Sequence, residues 1–155
     1  MGFAKQWALE ASDHILSLAW LGEQLVVTPS TGRFLLLDRA GEAIAGFASH
    51  GLGNGIPAAR EDLLATCGFD GSVRFYKIAG TRVEPAHAKI LGKGWIEHAK
   101  WSPDGSHLAA ALGKTLFILD AQGEIAQTIP SHRTSVSDFA WNPRNPVEIT
   151  SVCGG

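Results

Sequence analysis

A tryptophan that ends an apolar run and precedes a turn recurs along the chain at a regular spacing. Trp20, Trp101 and Trp141 end the runs ILSLAW, IEHAKW and VSDFAW. Their separations of 81 (101 − 20) and 40 (141 − 101) residues indicate a period of about 40, with one copy near residue 60 in which Ala59 takes the place of the tryptophan. Self-similarity at such a period predicts small units that stack side by side, because one unit alone cannot bury both of its faces.

Each period contains four short β-type runs joined by turns, and helical periodicity is almost absent. The clearest hairpin lies within residues 63–77, LLATCGFDGSVRFYK, where Asp70-Gly71 separates two apolar runs. Asp-Gly at this place is a strong hairpin signal, since Gly adopts the positive φ that a tight turn requires. Second strands are predicted at 25–28, 63–67, 108–112 and 147–152, third strands at 33–37, 73–78 and 115–119, and weaker fourth strands at 43–48, 82–86 and 124–129.

The composition fits a globular protein built of many short elements. Of the 155 residues, 45% are hydrophobic and 18% are charged, and the 18 glycines suit frequent tight turns. The formal net charge of −2 and the pI near 6.3 argue against a strongly basic surface for nucleic acid or an anionic membrane.

Cys67 and Cys153 lie inside apolar runs, so both are predicted to be small buried hydrophobic residues without a disulfide. The sequence lacks a secretory signal pattern and a membrane-length apolar run, which favours a cytoplasmic protein.

The period and the turn chemistry resemble those of the WD40 family of β-propellers, whose repeat has about 40–45 residues and four strands. In that family a Gly-His-type dipeptide precedes the first strand, and Trp-Asp ends the third. His132 and His50 each stand nine residues before the strand-ending position of their repeats, whereas Ala11 and Gly92 stand there in the other two. The Trp-Asp pair survives only as Leu37-Asp38, Tyr76-Lys77 and Leu119-Asp120. The resemblance covers essentially the whole chain, although no repeat matches the family pattern completely.

The resemblance implies an all-β fold of stacked four-stranded antiparallel blades in an incomplete ring. The predicted boundaries are 1–12 for a latch strand, 13–49, 50–91 and 92–131 for three blades, and 132–155 for half a blade. In propellers resembling this chain a lone fourth strand, here residues 3–10 (FAKQWALE), completes the last blade. Three interpretations stay open: a fragment of a longer propeller, a half-propeller that closes to seven blades by pairing with a second copy or a complementary chain, and an open monomer.

Pairing with a second copy is expected to use the latch segment of one chain and the half-blade of the other. Exposed strand edges at both ends of the chain are the reason for expecting a homodimer or another partner there, because such edges promote aggregation when they are left open. The residues predicted to form this contact are Phe3, Trp7, Leu9, Val147, Ile149 and Val152.

A polar tetrad is implied for the second repeat by the same resemblance. Its predicted members are the loop His50, the second-strand Thr66, the turn Asp70, and Tyr76 in the place of the family's tryptophan. A His–Asp pair beside a hydroxyl is also the pattern of a hydrolase. A structural role is the preferred interpretation, because a buried polar network is tolerated only when its members are satisfied.

No set of residues predicts catalysis, a cofactor or a metal. His98 and His107 flank the Trp101 turn and could face each other across it, but no Cys or carboxylate stands beside them at a ligand spacing. The adjacent Glu61 and Asp62 point to opposite faces of an extended chain and therefore do not form a catalytic pair.

The remaining candidates lie on the narrow-end loops, the name used here for loops that join a fourth strand to the next first strand or a second strand to its third. Exposed aromatic side chains next to cations are typical of protein-binding surfaces. The leading functional prediction is a non-enzymatic scaffold that binds a protein or peptide. The alternatives are a metal-binding, small-molecule-binding or enzymatic propeller with a central-channel site, and a self-assembling fragment without another partner. The candidate partner-binding residues are His14, Arg33, Phe69, Lys93, Trp95 and Arg133.

Overall fold

The chain folds entirely into β-strands and their connections wherever its structure is described. The computed structural model describes residues 7–10, 13–51, 55–130 and 132–154, and these ranges contain fourteen strands and no helix. The strands are β1 (Ile15–Leu21), β2 (Gln24–Pro29), β3 (Arg33–Leu37), β4 (Ala43–Ala48), β5 (Ile56–Arg60), β6 (Leu63–Cys67), β7 (Ser72–Ala79), β8 (Arg82–Ile90), β9 (Ile96–Trp101), β10 (His107–Leu112), β11 (Thr115–Asp120), β12 (Ile125–Ile129), β13 (Val136–Asn142) and β14 (Asn145–Cys153).

These strands form three sheets of four strands and one sheet of two. Their orders are β1-β2-β3-β4, β5-β6-β7-β8, β9-β10-β11-β12 and β13-β14, and every neighbouring pair is antiparallel. Each four-stranded sheet is a meander and the two-stranded sheet is a hairpin, and the sheets are called blades 1 to 4 in chain order. The all-β fold of stacked four-stranded antiparallel blades is thereby confirmed. Across the described residues no helix is long and apolar enough to span a membrane.

The place of a strand within its blade follows from its side-chain pattern. β6 and β10 are apolar along almost their whole length and are buried on both faces, because another blade lies on each side of them. β8 and β12 are largely exposed, and each is an edge strand of its blade. The first strands of successive blades contact one another, β1 with β5, β5 with β9 and β9 with β13, so they form the inner side of the stack.

Apolar clusters fill the space between successive blades. Phe34, Phe47 and Tyr76 belong to the cluster between blades 1 and 2, where the rings of Phe47 and Tyr76 lie 5.0 Å apart. Phe75 and Trp101 pack between blades 2 and 3 with ring centroids 6.1 Å apart. The members between blades 3 and 4 are Ala109, Ala111, Leu116, Ile118, Val136 and Phe139, with Ile129, Trp141 and Ile149 at the margin. Because each core is shared by two blades, adjacent blades stabilise each other.

The segment before blade 1 differs from the predicted latch strand. Residues 7–10 are not in a strand, and Phe3, together with the rest of residues 1–6, lies outside the described residues. Trp7 packs on Leu25, Val27 and Leu37 of blade 1, and its Nε1–H donates a hydrogen bond to the Arg39 carbonyl at 3.0 Å. The indole side chain, rather than backbone pairing, therefore fixes residues 7–10 to one face of the two middle strands of blade 1, β2 and β3.

Candidate functional site

A continuous chain of buried hydrogen bonds begins in the loop before blade 2 and ends in its β6–β7 turn. His50 Nδ1 lies 3.0 Å from Asp70 Oδ1, and His50 Nε2 lies 3.0 Å from Thr66 Oγ1. His50 is 4% exposed and Thr66 is fully buried. Because a carboxylate only accepts, Nδ1 carries the hydrogen that it donates to Asp70, and in the neutral ring Nε2 accepts from the Thr66 hydroxyl.

Tyr76 joins this network through a residue that the sequence analysis missed. The Tyr76 hydroxyl donates to Ser49 Oγ at 2.8 Å, and Ser49 Oγ lies 2.5 Å from Thr66 Oγ1. The four predicted tetrad residues are thus brought together, with Ser49 between Thr66 and Tyr76. The signal for Ser49 is its position directly before His50, where the family pattern has Gly.

Two further side chains hold Asp70 and were also missed. Ser72 donates to Asp70 Oδ1 from its hydroxyl at 2.7 Å and from its backbone N–H at 3.0 Å. The Arg74 guanidinium donates to Asp70 Oδ2 at 3.0 Å and also to the Ser49 carbonyl. A Ser two residues after a turn Asp is a recognisable turn signal, whereas the reach of Arg74 back to the turn depends on the folded strand.

The network sets the charge state of its two titratable members. Burial lowers the pKa of His50, and the attraction of Asp70 opposes this effect without reversing it, which keeps the ring neutral at physiological pH. Partial burial alone would raise the pKa of Asp70, but hydrogen bonds from Ser72 and the interaction with His50 outweigh it and hold that pKa below its usual range. A neutral imidazole beside an ionised carboxylate matches the donor and acceptor roles described above.

The order hydroxyl, imidazole and carboxylate is that of a hydrolase triad, but its surroundings oppose catalysis. Thr66 is fully buried, and its hydroxyl oxygen is already engaged by His50 and Ser49. A reacting carbonyl must come within about 3 Å of the nucleophile, and the buried hydroxyl offers no such approach. The arrangement is suited to fastening the His50 loop to the β6–β7 turn.

A second feature lies on the surface formed by the narrow-end loops of blades 2 and 3. The rings of Phe69 and Trp95 stack with centroids 4.5 Å apart and an interplanar angle of 30°. The loop carrying Trp95 is held over the β6–β7 turn, since Leu91 N–H donates to the Gly71 carbonyl at 2.9 Å. Trp95 remains 59% exposed, so it does not pack between blades. A large aromatic face is therefore presented to solvent on a fixed loop.

An open cleft lies beside this aromatic pair. The cleft has a volume of about 590 Å³, and Lys93, Trp95, Leu112 and Phe117 are among its lining residues. Lys93 and Arg133, both predicted, are exposed, as is Lys114, which the sequence analysis missed and which stands between the lining residues Gly113 and Thr115.

Backbone contacts place Lys114 beside the loop that carries Arg133. A ring nitrogen of His132 lies 3.0 Å from the Lys114 carbonyl, and Val136 N–H donates to the Gly113 carbonyl at 2.8 Å. None of Lys93, Lys114 and Arg133 forms an ion pair with a carboxylate of the described chain. Lys93 and Glu97 are the charged residues that line the cleft among the described residues, while Lys114 and Arg133 lie in the adjoining loops.

The two remaining partner-binding candidates lie on blade 1 rather than beside the Phe69–Trp95 pair. The backbone N–H of His14 donates to the Asp13 carboxylate at 2.7 Å, and the same carboxylate accepts from Ser30 and Thr31. Arg33 is exposed and reaches the Gly46 carbonyl at 3.5 Å. The candidates therefore fall into a group on blades 2 to 4 and a separate pair on blade 1.

The histidines considered for a metal lie at opposite ends of the β9–β10 pair. His98 faces Ala111, while His107 is the first residue of β10 and pairs with Asp120 of β11. In the ranges that the structure describes, no group of three or more His, Cys, Asp or Glu side chains converges.

The residues predicted for self-association have different surroundings. Leu9 is 47% exposed, Val147 80% and Val152 55%, so all three are accessible. Ile149 packs against the cluster between blades 3 and 4 and is partly used within the chain. Of the two cysteines, Cys67 is fully buried and Cys153 is partly exposed, and both are free thiols.

Comparison with known proteins gives one sequence relative and several similar structures. No family model matches the chain. Protein transport protein SEC13-2 of Candida glabrata is 32% identical over 99 residues, which covers 56% of this chain and 32% of that protein. A chain in the crystal structure of a mitotic checkpoint complex superimposes with a TM-score of 0.80 at 17% identity, covering 92% of this chain and 45% of that one. The designed protein Ika8 gives 0.72 at 14% identity, covering 83% and 40%. The chain thus spans about a third of the curated relative's length and less than half of each solved chain.

Proposed function

Because the chain is built of WD40-type propeller blades, we propose that it is a non-enzymatic scaffold that binds a protein or peptide through its narrow-end loops. The observation that carries this proposal is the Phe69–Trp95 stack, which presents a half-exposed indole on a loop fixed by backbone hydrogen bonds. Rigid exposed aromatic side chains contribute much of the binding free energy at protein interfaces, because little side-chain entropy is lost when they are covered.

The charge around the cleft specifies the chemistry of the partner. Lys93, Lys114 and Arg133 have no carboxylate partner in the described chain, and Glu97 is the acidic side chain of the cleft. An acidic segment would pair with these cations, and an aromatic or aliphatic residue within it would cover Trp95. Since the whole chain has a net charge of −2, this basic surface is local and favours a short acidic segment over nucleic acid.

The comparisons support a protein partner without identifying one. The relative is, by name, a protein transport protein, and one similar structure is a chain within a checkpoint complex. A shared fold does not imply shared partners, so the partners of those proteins are not assigned to this chain.

The proposal is tested with two fluorescent peptides, one with Glu residues flanking a single Phe and a matched peptide with Lys in place of Glu. The acidic peptide should bind more tightly, with an affinity that falls as ionic strength rises, because exposed charges are screened by salt. Trp95→Ala should weaken binding about tenfold or more without unfolding the chain, since Trp95 is 59% exposed. Fluorescence anisotropy measures both effects.

Two lysine-to-glutamate variants test whether the peptide binds near Lys114 or whether any change of surface charge weakens binding. Lys114→Glu should weaken binding of the acidic peptide, whereas Lys77→Glu should leave it unchanged. Lys77 is exposed like Lys114 but pairs with Leu63 at the opposite end of blade 2. Equal binding of both peptides, or equal effects of the two lysine variants, contradicts the proposal.

A second role, pairing of two copies of this chain, is supported by an exposed apolar face of β1. Leu16, Leu18 and Trp20 are all exposed on this face. Apolar faces of this kind are usually covered in stable proteins. The mass of the chain in solution, measured by light scattering over a concentration series, tests the pairing, and a monomer at every concentration contradicts it.

A further inference from the structure

Glu97 differs in charge from the residues at the same place in the other blades. It is the second residue of β9, and the corresponding residues of the other first strands are uncharged: Leu16, Pro57 and Ser137. Because three blades fold with an uncharged residue at this position, the blade fold does not require the Glu97 carboxylate. The carboxylate can therefore serve a purpose other than the stability of blade 3.

A β-bulge at Glu97 fixes the place from which its side chain reaches solvent. His98 pairs with Ala111 and Ile96 pairs with Leu112, which leaves Glu97 as the extra residue of β9. Glu97 is exposed, whereas Ile96 is 1% exposed and belongs to the core between blades 2 and 3. Bulges redirect a side chain and are frequent beside active sites. The Glu97 carboxylate thus projects from a strand that is anchored on both sides of it.

The cleft beside Trp95 contains two opposite charges that are not paired. Lys93, Trp95 and Glu97 all line it and are all exposed. Lys93 and Glu97 form no ion pair with each other or with any other described residue. Leu112 and Phe117, both partly buried, add apolar surface to the same cleft. The cleft therefore presents a cation, an aromatic surface and an anion, with the indole between the two charges along the chain.

This arrangement discriminates among acidic partners. A segment that brought only acidic residues into the cleft would place one of them near the Glu97 carboxylate, and like charges repel. A segment with a basic residue at that point would pair with Glu97 and still use its acidic residues on Lys93. Lys114 and Arg133, in the adjoining loops, would attract the remaining acidic residues. An attractive charge combined with a repulsive one is a general basis of binding specificity.

We propose that the Trp95 cleft binds a segment of a partner protein in which a Lys or Arg lies on one side of an apolar residue and acidic residues lie on the other. The acidic residues pair with Lys93, the apolar side chain covers Trp95, and the basic residue pairs with Glu97. This inference rests on the function proposed above and specifies the order of charges in the partner. Since the positions of Lys93 and Glu97 are fixed, one chain direction of the segment satisfies both charges and the reverse direction does not.

The experiment measures the binding of four fluorescent peptides to the full chain by fluorescence anisotropy. Two peptides carry two Glu residues before a Phe and either Lys or Gln after it, and the other two have the reverse order. In one of the two orders the Lys peptide should bind about three- to fivefold more tightly than the Gln peptide, which is the gain expected from one exposed ion pair. In the other order Lys and Gln should give equal affinities.

A charge-swap variant tests whether Glu97 is the group that recognises the basic residue. In Glu97→Lys the preference for the Lys peptide should be lost, and a peptide with Glu at that position should bind more tightly than the Gln peptide. Glu42→Lys is the matched control, since Glu42 is also exposed but lies between β3 and β4 of blade 1. It makes the same change in net charge and should keep the wild-type preference. Thermal unfolding should be cooperative in both variants, because both side chains are exposed.

The possible results separate this inference from the proposed function. If none of the peptides binds, both are overturned. If the peptides bind without a preference for Lys in either order, or if the preference survives in Glu97→Lys, this inference is overturned and the proposed function stands. The same holds if Glu97→Lys and Glu42→Lys weaken the preference equally. A preference of equal size in both orders overturns the fixed direction of the segment and therefore the inference.

Discussion

At the scale of single residues, two departures from the repeat pattern of blade 2 compensate for each other. Tyr76 stands in the place of a tryptophan, and Ser49 in the place of a glycine. The Ser49 hydroxyl lies between Tyr76 and Thr66, so the chain of hydrogen bonds remains unbroken. His50, Thr66 and Asp70 were predicted because the family resemblance implies their roles at these positions of the repeat. Ser49 and Arg74 could not be predicted, because their roles depend on side chains that meet only after the strands have paired.

Removing the charge of Asp70 should destabilise the protein. Asp70 accepts hydrogen bonds from His50, Ser72 and Arg74. Asp70→Asn should lower the free energy of unfolding by about 1–2 kcal/mol, a range that allows for the partial exposure of this side chain. Urea unfolding measures the change. Asp62→Asn, at an exposed position of the β5–β6 turn, is the matched control and should change it little.

Stability should fall as the pH is lowered below about 6.5. Burial lowers the pKa of His50, and burial also lowers that of His87, which packs on Phe75 at 4.3 Å with a buried Nε2 that has no partner. Below pH 6.5 the unfolded chain therefore binds protons that the folded chain does not, which favours unfolding until the folded pKa values are passed. The lowered pKa of Asp70 keeps its contribution until the pH falls below 3.8.

Urea unfolding between pH 7.5 and 5 measures the predicted slope. His87→Gln should flatten it, because one of the two imidazoles with a lowered pKa is then absent. A free energy of unfolding that is constant over this range would contradict the assignment of both histidines as neutral in the folded chain.

At the scale of elements, several strand bounds were predicted and one fourth strand was predicted too short. The bounds Leu63–Cys67, Arg33–Leu37 and Ala43–Ala48 agree with the predicted 63–67, 33–37 and 43–48. β8 extends to Ile90, four residues beyond the predicted end, because its polar exposed sequence gives no apolar signal there. Its length is set by backbone pairing with the whole of β7, where Ser72 pairs with Ile90.

Two turn glycines should differ sharply in their tolerance of a methyl group. Gly71 and Gly80 both have positive φ, at 70° and 61°. A Cβ at Gly71 would lie 2.0 Å from the Gly92 carbonyl oxygen, whereas nothing lies within 4 Å of a Cβ at Gly80. Gly80→Ala should cost only the backbone strain, about 1 kcal/mol, while Gly71→Ala should cost at least about 2 kcal/mol more. Thermal unfolding of the two variants checks the difference, and similar losses would contradict the close packing of the Trp95 loop on the turn.

At the scale of the whole molecule, stacking gives the blades unequal protection. Blades 2 and 3 have a neighbour on both sides, whereas β14 of blade 4 pairs on one edge only within the described chain. Amide hydrogen exchange, measured at a concentration where the chain is monomeric, should be slowest in β6, β7, β10 and β11 and fastest in β14. Uniform protection would indicate a single cooperative unit instead.

The sequence predicted the number of blades through the tryptophan period, but it did not predict the tryptophans' contacts. The same three residues gave the repeat length, and only the folded chain shows that Trp101 and Trp141 donate to carbonyls of the preceding blade. The cations near Trp95 were only partly predicted, since Lys114 is brought beside the loop of Arg133 by a contact between loops of different blades. Contacts between residues that are far apart in the sequence cannot be predicted from the local pattern of residue types.

The alanine at residue 59 makes the junction between blades 1 and 2 different from the other two. Blades 2 and 3, and blades 3 and 4, are joined by a directional indole bond in addition to apolar packing. Blades 1 and 2 are joined by aromatic rings such as Phe47 and Tyr76, and their hydrogen bond from Gln24 Nε2–H to the Gly80 carbonyl, at 2.9 Å, is exposed to solvent. Because water competes for an exposed hydrogen bond, this bond resists rotation less than the partly buried indole bond of Trp101. The stack should therefore bend more readily between blades 1 and 2 than between blades 2 and 3.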